Sequence, residues 1–279
     1  VTNSGVLYLL RKNPLTFVAG LGLLLLLLCA VLGPYLVPHD PLRTNAAAIL
    51  QPPSARNLFG TDHLGRDIFS RVVVAARLDI AIAVSAVTLS AIVGVLVGAV
   101  CGFAGGFLDR FIGRMVDVMM AFPLFVTAMA LVAALGNTVQ NIVLATAIIN
   151  VPFYFRLMRA EVKARRDAGY VEAARVTGNG SSRVLLAFLV PNAIPPIVIQ
   201  ISLNLGWAIL NAAGLSFIGL GVKPPAPEWG IMVAEGASSM LSGEWWVVFF
   251  PGAALVFSVF CCNLFGDGLR DILDPRRRT

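Results

Sequence analysis

Six stretches of this chain stay apolar for about the length of a bilayer crossing: residues 15–37, 80–103, 116–135, 142–155, 193–220 and 245–265. A spanning helix needs roughly 20 mostly apolar residues, because a rise of about 1.5 Å per residue must cover a hydrocarbon core about 30 Å thick. The fourth stretch is short and is expected to run on through Leu157 and Met158. Polar intervals punctuated by proline separate the stretches, so the pattern predicts an all-α integral membrane protein with six transmembrane helices. The expected organisation is a segment at 1–14, a first helix at 15–37, a long loop at 38–77 and a membrane core at 78–268. The core carries polar loops at 157–190 and 221–244, and a basic tail follows at 269–279. The first stretch is long for a secretory signal, and "VLGPYLVPHDP" offers no small-x-small cleavage site after it. It reads as a retained span.

Charge orients the spans. With the N-terminus in the cytoplasm, 15 of the 21 Lys and Arg fall on the inner side and Arg43, Arg56, Arg66, Arg71, Arg77 and Lys223 on the outer side. That satisfies the positive-inside rule and puts both termini in the cytoplasm. The net charge of +6 therefore marks membrane topology and not nucleic-acid binding. Composition agrees: 58% of residues are hydrophobic, 13% are charged and mean hydropathy is +0.83, against about 25% charged in soluble proteins. Lipid must solvate most of this surface.

Little in the chain points to catalysis. Cys29, Cys101, Cys261 and Cys262 all sit in apolar runs without paired metal or redox spacing, and His39 and His63 share one polar loop, so no metal site is expected. An intramembrane enzyme would need His, Glu or Lys within the spans, and the six stretches hold none. No Gly-x-x-x-x-Gly-Lys-Ser/Thr phosphate loop occurs, so ATP energy would have to come from a partner. A self-sufficient secondary transporter or channel, coupled through a group such as Asp117, is the alternative; no paired-repeat pattern supports it. Asp117 itself is expected to pair with Arg114 three residues before it.

Between the fourth and fifth spans lies "RLMRAEVKARRDAGYVEAARVTGNGSSRVLLAFLVPNAIPP". It is too polar to cross lipid and too rich in helix formers for a slack linker, so a short helix from Tyr170 to about Val176 is expected, with Ser181 or Ser182 capping the next one. Ala173 and Ala174 allow close backbone approach, Glu172 and Arg175 supply charge, and Tyr170 is a typical anchor. Such a helix fits a partner's groove, or it lies solvated at the membrane surface.

The segment "YVEAARVTGNGSSRVLLAFLVPNAIPP" resembles the EAA motif of binding-protein-dependent ABC importer permeases: Glu172-Ala173-Ala174, then Gly178, then Leu189-Val190-Pro191, where relatives usually have Leu-Pro or Ile-Pro. "FGTDHLGRDIFSRVVVAAR", "GGFLDRFIGRMVDVMMAFP" and "LSFIGLGVKPPAPEWGIMV" are similar, in the expected order, to stretches of the dipeptide, oligopeptide and nickel subfamily, most closely its C-type subunit. The resemblance implies a type I importer permease in a bacterial cytoplasmic membrane, paired with a second, homologous permease. Two ATP-binding subunits would hold ATP and Mg, while this chain holds no cofactor. Tyr170, Glu172, Ala173, Ala174, Arg175 and Gly178 would form the coupling helix, and an extracytoplasmic solute-binding protein would deliver cargo. The resemblance is compatible with peptides, nickel chelates and other small solutes as cargo.

Polar residues inside apolar spans cost energy unless they are paired or face water, which makes Asn150, Asn204, Asn211 and Ser216 expected path residues. Interhelical bonding to the second permease is the alternative for them. Gly94 and Gly98 predict close helix packing. In the outer segments Asp62, Arg66 and Asp67, then Lys223 and Trp229, are expected to meet the binding protein, and Trp245-Trp246 to anchor at the interface. Pro191, Pro195 and Pro196 invite bending or mark a helix boundary.

Overall fold

The computed structural model describes residues 14–273; Arg11 and Lys12 at one end and Arg276, Arg277 and Arg278 at the other lie outside the described residues. The described chain is almost wholly helical. In order, the helices are α1 (Pro14–Leu36), α2 (Ile68–Ala104), α3 (Gly106–Ala121), α4 (Leu124–Leu135), α5 (Val139–Arg165), α6 (Gly169–Val176), α7 (Ser181–Phe217), α8 (Trp229–Gly236) and α9 (Trp246–Leu273), with 3₁₀ turns at Ala46–Ala48 and Ala237–Met240. Five are long and apolar enough to cross a membrane, and α3 with α4 makes a sixth if that bent pair counts as one span.

Several expected boundaries move, among them the start of the fifth span, which lies at Ser181, and the end of α5 at Arg165. The second span is 37 residues long and starts at Ile68, so residues 68–77 belong to a helix and not to the outer loop. Its start is fixed by Asp67, whose carboxylate accepts from the Ser70 amide at 2.8 Å as an N-cap. At about 1.5 Å per residue this helix exceeds the hydrocarbon core by several turns, which stand beyond the membrane. The third span is not one straight helix. It breaks between α3 and α4 with a bend of 93°, because Pro123 has no N–H to continue the ladder and forces Phe122 into an extended conformation (φ −90°, ψ 145°).

The prolines of α7 behave differently. Pro191, Pro195 and Pro196 all lie inside a helix that continues to Phe217, so Pro191 is not a boundary. A π-helical turn at Val184–Leu189 precedes them and shifts the hydrogen-bond register just where the ladder is about to lose donors. The expected serine cap is absent: Gly180 occupies the cap position without a side-chain bond, and Ser181 is already helical.

The packing core of the bundle is α2 against α5. A Cβ added at Gly94 would lie 2.6 Å from the Tyr154 Cβ, one at Gly98 2.6 Å from the Phe155 carbonyl oxygen, and one at Gly102 2.7 Å from the Arg159 carbonyl oxygen. The glycine spacing therefore extends one turn further than the Gly94 and Gly98 pair, and brings two backbones together along three turns. Gly98→Val is expected to reduce the thermal stability of the detergent-solubilised protein by several degrees, since the obstructing atom is backbone and cannot swing aside; overpacking of this kind costs about 1–3 kcal/mol. An unchanged melting curve would contradict the packing.

Candidate functional site

Helix α6 has two faces. Val171 and Ala174 are buried in the core with Val162 of α5 and Val184 and Leu185 at the start of α7. Tyr170, Glu172, Ala173, Arg175 and Val176 are exposed, Val176 by 87%. Tyr170, Ala173 and Val176 recur every three residues and make one apolar stripe pointing away from the bundle. Ala174 thus corrects the sequence reading: it packs inward and cannot meet a partner. Val176 was overlooked there, although the Tyr170–Ala173 spacing, continued by three, points to it.

The end of α6 is a Schellman turn. Gly178 adopts φ +82°, its amide donates to the Arg175 carbonyl at 2.9 Å, and the Asn179 amide donates to the Ala174 carbonyl at 3.2 Å. The Asn179 side chain repeats the bond to the Ala174 carbonyl at 2.9 Å. Arg175 lies 5.9 Å from the centre of the Phe103 ring, so α6 also touches the end of α2.

A stiff stem joins α6 to the spans. The last turns of α5 carry Arg159, which binds both oxygens of buried Asp109 on α3, and Lys163, 3.5 Å from the same carboxylate. Asp117 pairs with Arg156 across the gap to α5 and not with Arg114, which is left exposed. Arg165 pairs with Glu161 one turn back.

The polar residues of the spans separate into two groups. Asn150 on α5 and Asn204 on α7 line a cavity of about 410 Å³ together with Phe153, Leu203, Trp207 and Asn263 of α9. Gln200 donates to Asn204 at 2.8 Å, Asn204 to Asn150 at 3.4 Å, and Asn150 to the Thr146 carbonyl at 2.8 Å. Asn211 and Ser216 do not line that cavity. Asn211 bonds the Thr146 hydroxyl at 3.2 Å, and the Ser216 hydroxyl accepts from the Val222 amide at 3.1 Å and bonds Glu228. Asn263 was missed, although it is a lone amide in an apolar run like the others.

On the other side of the bundle the expected docking residues are structural. Asp62, Arg66, Asp67 and Trp229 are all at most 5% exposed. Arg66 bonds Asp62 at 2.6 Å and Glu235 of α8 at 2.8 Å, and Arg71 stands 3.7 Å from each carboxylate. Two cations and two anions close into a neutral clamp that ties the loop to α8. The carboxylates have partners and are inaccessible, so a docking protein cannot read them; only Lys223 of that group is exposed. Asp62, His63 and Glu235 bring ligand atoms within 4.8 Å of one another, yet the two arginines already neutralise the carboxylates and oppose a cation there. Trp246 is likewise buried, its indole donating to the Thr61 carbonyl at 3.3 Å, which leaves Trp245 as the half-exposed aromatic.

Beside the clamp lies a carboxyl pair. Asp79 of α2 and Glu228 are both almost fully buried. Glu228 also caps α8 through the Gly230 and Ile231 amides, both at 2.8 Å, and Asp79 accepts from the Trp229 amide at 3.2 Å.

Residues 94–279 match the family described as binding-protein-dependent transport system inner membrane component, and residues 5–53 match the N-terminal transmembrane domain of oligopeptide transport permease C. The chain is 43% identical to a di/tripeptide transport system permease of Pseudomonas aeruginosa over 92% of its own length and 86% of that protein's. It is 40% identical to a dipeptide transport system permease of Alkalihalophilus pseudofirmus, covering 97% and 88% of the two chains. A glutathione transport system permease of Escherichia coli O1:K1 is 38% identical, with 95% and 88% covered.

Proposed function

Because the chain belongs to the family of binding-protein-dependent transport system inner membrane components, we propose that α6 is the element through which this ABC importer permease receives force from an ATP-binding subunit. The chain is a multi-pass protein of the bacterial inner membrane with no catalytic role of its own indicated. Two ATP-binding subunits, which carry ATP and Mg, sit on the cytoplasmic face with both termini. A second homologous permease completes the membrane unit, and an extracytoplasmic solute-binding protein delivers small peptides, the cargo class named for its relatives.

The observation that carries this reading is the exposed stripe of Tyr170, Ala173 and Val176 on a helix held rigidly at both ends. Small and apolar, the stripe gives close approach in a groove, and Glu172 and Arg175 fix its register at the rim. Closure of two ATP-binding subunits would draw α6 with it. The stem formed by Arg159, Lys163 and Asp109 would pass the motion to α3, while the close glycine contacts would carry it to α2. The path for cargo runs along the cavity of Asn150 and Asn204, with Asn211 supporting Thr146 behind it. On the outer face the exposed cations Arg43, Arg56 and Lys223 offer a surface to an acidic lip of the binding protein.

Affinity purification from membranes tests the division of labour. Recovery of an ATP-hydrolysing subunit and a second permease with the tagged wild-type chain, and loss of the ATP-hydrolysing subunit with Ala173→Glu while the second permease is retained, is the expected result. Recovery of the chain alone, with uptake retained in liposomes under an ion gradient, would favour a self-sufficient transporter.

A further inference from the structure

The wall of the membrane cavity is uncharged and carries three amide side chains, on three different helices. Two of them are engaged: Asn150 donates to the Thr146 carbonyl, and Asn204 spans between Gln200 and Asn150. The third is not. The Asn263 side chain on α9 is exposed and makes no hydrogen bond among the described residues, and its Oδ1 lies toward Gly206 of α7. Phe153, Leu203, Trp207 and Leu210 supply the apolar remainder. At about 410 Å³ the space falls in the range of small-molecule sites.

A carboxamide offers a donor and an acceptor side by side, which matches the peptide group's own acceptor and donor. An apolar wall without ionised groups gives no compensation to a charged side chain that leaves water. We propose that Asn263 is a specificity contact for cargo inside the membrane, its free amide hydrogen-bonding the main chain of a short peptide in transit while Asn150 and Asn204 continue the polar track. This rests on the reading of the chain as a peptide permease. The site selects for backbone hydrogen bonding and is indifferent to the sign of the side-chain charge, a property that one substitution converts.

The test uses the whole transporter in proteoliposomes with an acidic, a neutral and a basic tripeptide of matched size, comparing wild type, Asn263→Asp and Asn263→Leu. Wild type is expected to move all three. Asn263→Leu lowers uptake of all three several-fold, and Asn263→Asp depresses the acidic peptide relative to the basic one by about tenfold, a small part of what two charges feel at contact distance. Equal losses for the three peptides in Asn263→Asp would assign Asn263 to packing alone and overturn the proposal, as would wild-type uptake in both variants. Co-purification of the partner subunits with each variant separates lost assembly from lost selectivity. If the wild-type complex moves no tripeptide at all, the peptide-permease reading itself fails, a different outcome from a change confined to Asn263.

Discussion

Replacing Gly178 by aspartate is expected to cut ATP-dependent uptake by about tenfold or more while the chain still inserts at its normal level. The loss begins in the backbone. Gly178 sits at φ +82°, where an L side chain costs about 1–2 kcal/mol. Restoring an ordinary conformation would break the bonds from Gly178 to Arg175 and from Asn179 to Ala174, and so turn the stripe of Tyr170, Ala173 and Val176. A Cβ at this position meets nothing within 4 Å, so the bundle itself is not disturbed. Gly178→Ala, with the same strain but no charge, should fall between wild type and Gly178→Asp. Normal uptake by well-inserted Gly178→Asp would remove α6 from the coupling path.

A larger effect on the fold itself is expected from Arg66→Met. This guanidinium is 1% exposed and holds Asp62 and Glu235 together across the junction between the outer loop and α8. Removing one partner of a buried ion pair costs about 3–5 kcal/mol, because the charge left behind is neither paired nor hydrated. Arg71 remains 3.7 Å from each carboxylate and can compensate for part of this. The folded population of Arg66→Met should drop sharply, read as loss of a monodisperse peak in detergent. The double change Arg66→Met and Glu235→Leu, which removes one cation with one anion and leaves Arg71 facing Asp62, should recover much of it. Wild-type behaviour of the single variant would show that the clamp does not hold α8 in place.

Gly178 and Arg66 lie at opposite ends of the bundle, and their surroundings differ in how far they were legible in the sequence. The helix at Gly169–Val176 could be read from its alanines and its flanking glycines, because a short amphipathic segment between polar turns has few alternatives. Which face is buried could not. Ala173 and Ala174 are chemically identical, and only the positions of Val162 and Val184 decide that Ala174 turns inward. The outer loop misled for a related reason. Alternating Asp and Arg is the pattern of a solvated, partner-facing surface and equally that of an internally neutralised clamp, and the residue that decides between them, Glu235, lies 169 positions from Arg66. The spans were legible from hydropathy in number and approximate place. The 93° break at Pro123 was not, since one proline inside an apolar run gives no sign whether its helix kinks or is interrupted. The same residue type leaves α7 continuous, where a π-helical turn precedes Pro191.

A coupling role for α6 places its outward stripe in a groove of an ATP-binding subunit. Site-directed cross-linking tests it most directly, in membranes holding the full complex, with cysteine placed at Val176 and, as control, at Leu241, which is 94% exposed on the opposite side of the bundle. The prediction is a short-span thiol cross-link from Val176→Cys to the ATP-binding subunit, altered in yield when ATP is bound, and none from Leu241→Cys. Absence of the Val176→Cys product in a complex that still transports, or an equal product from both positions, would contradict the account.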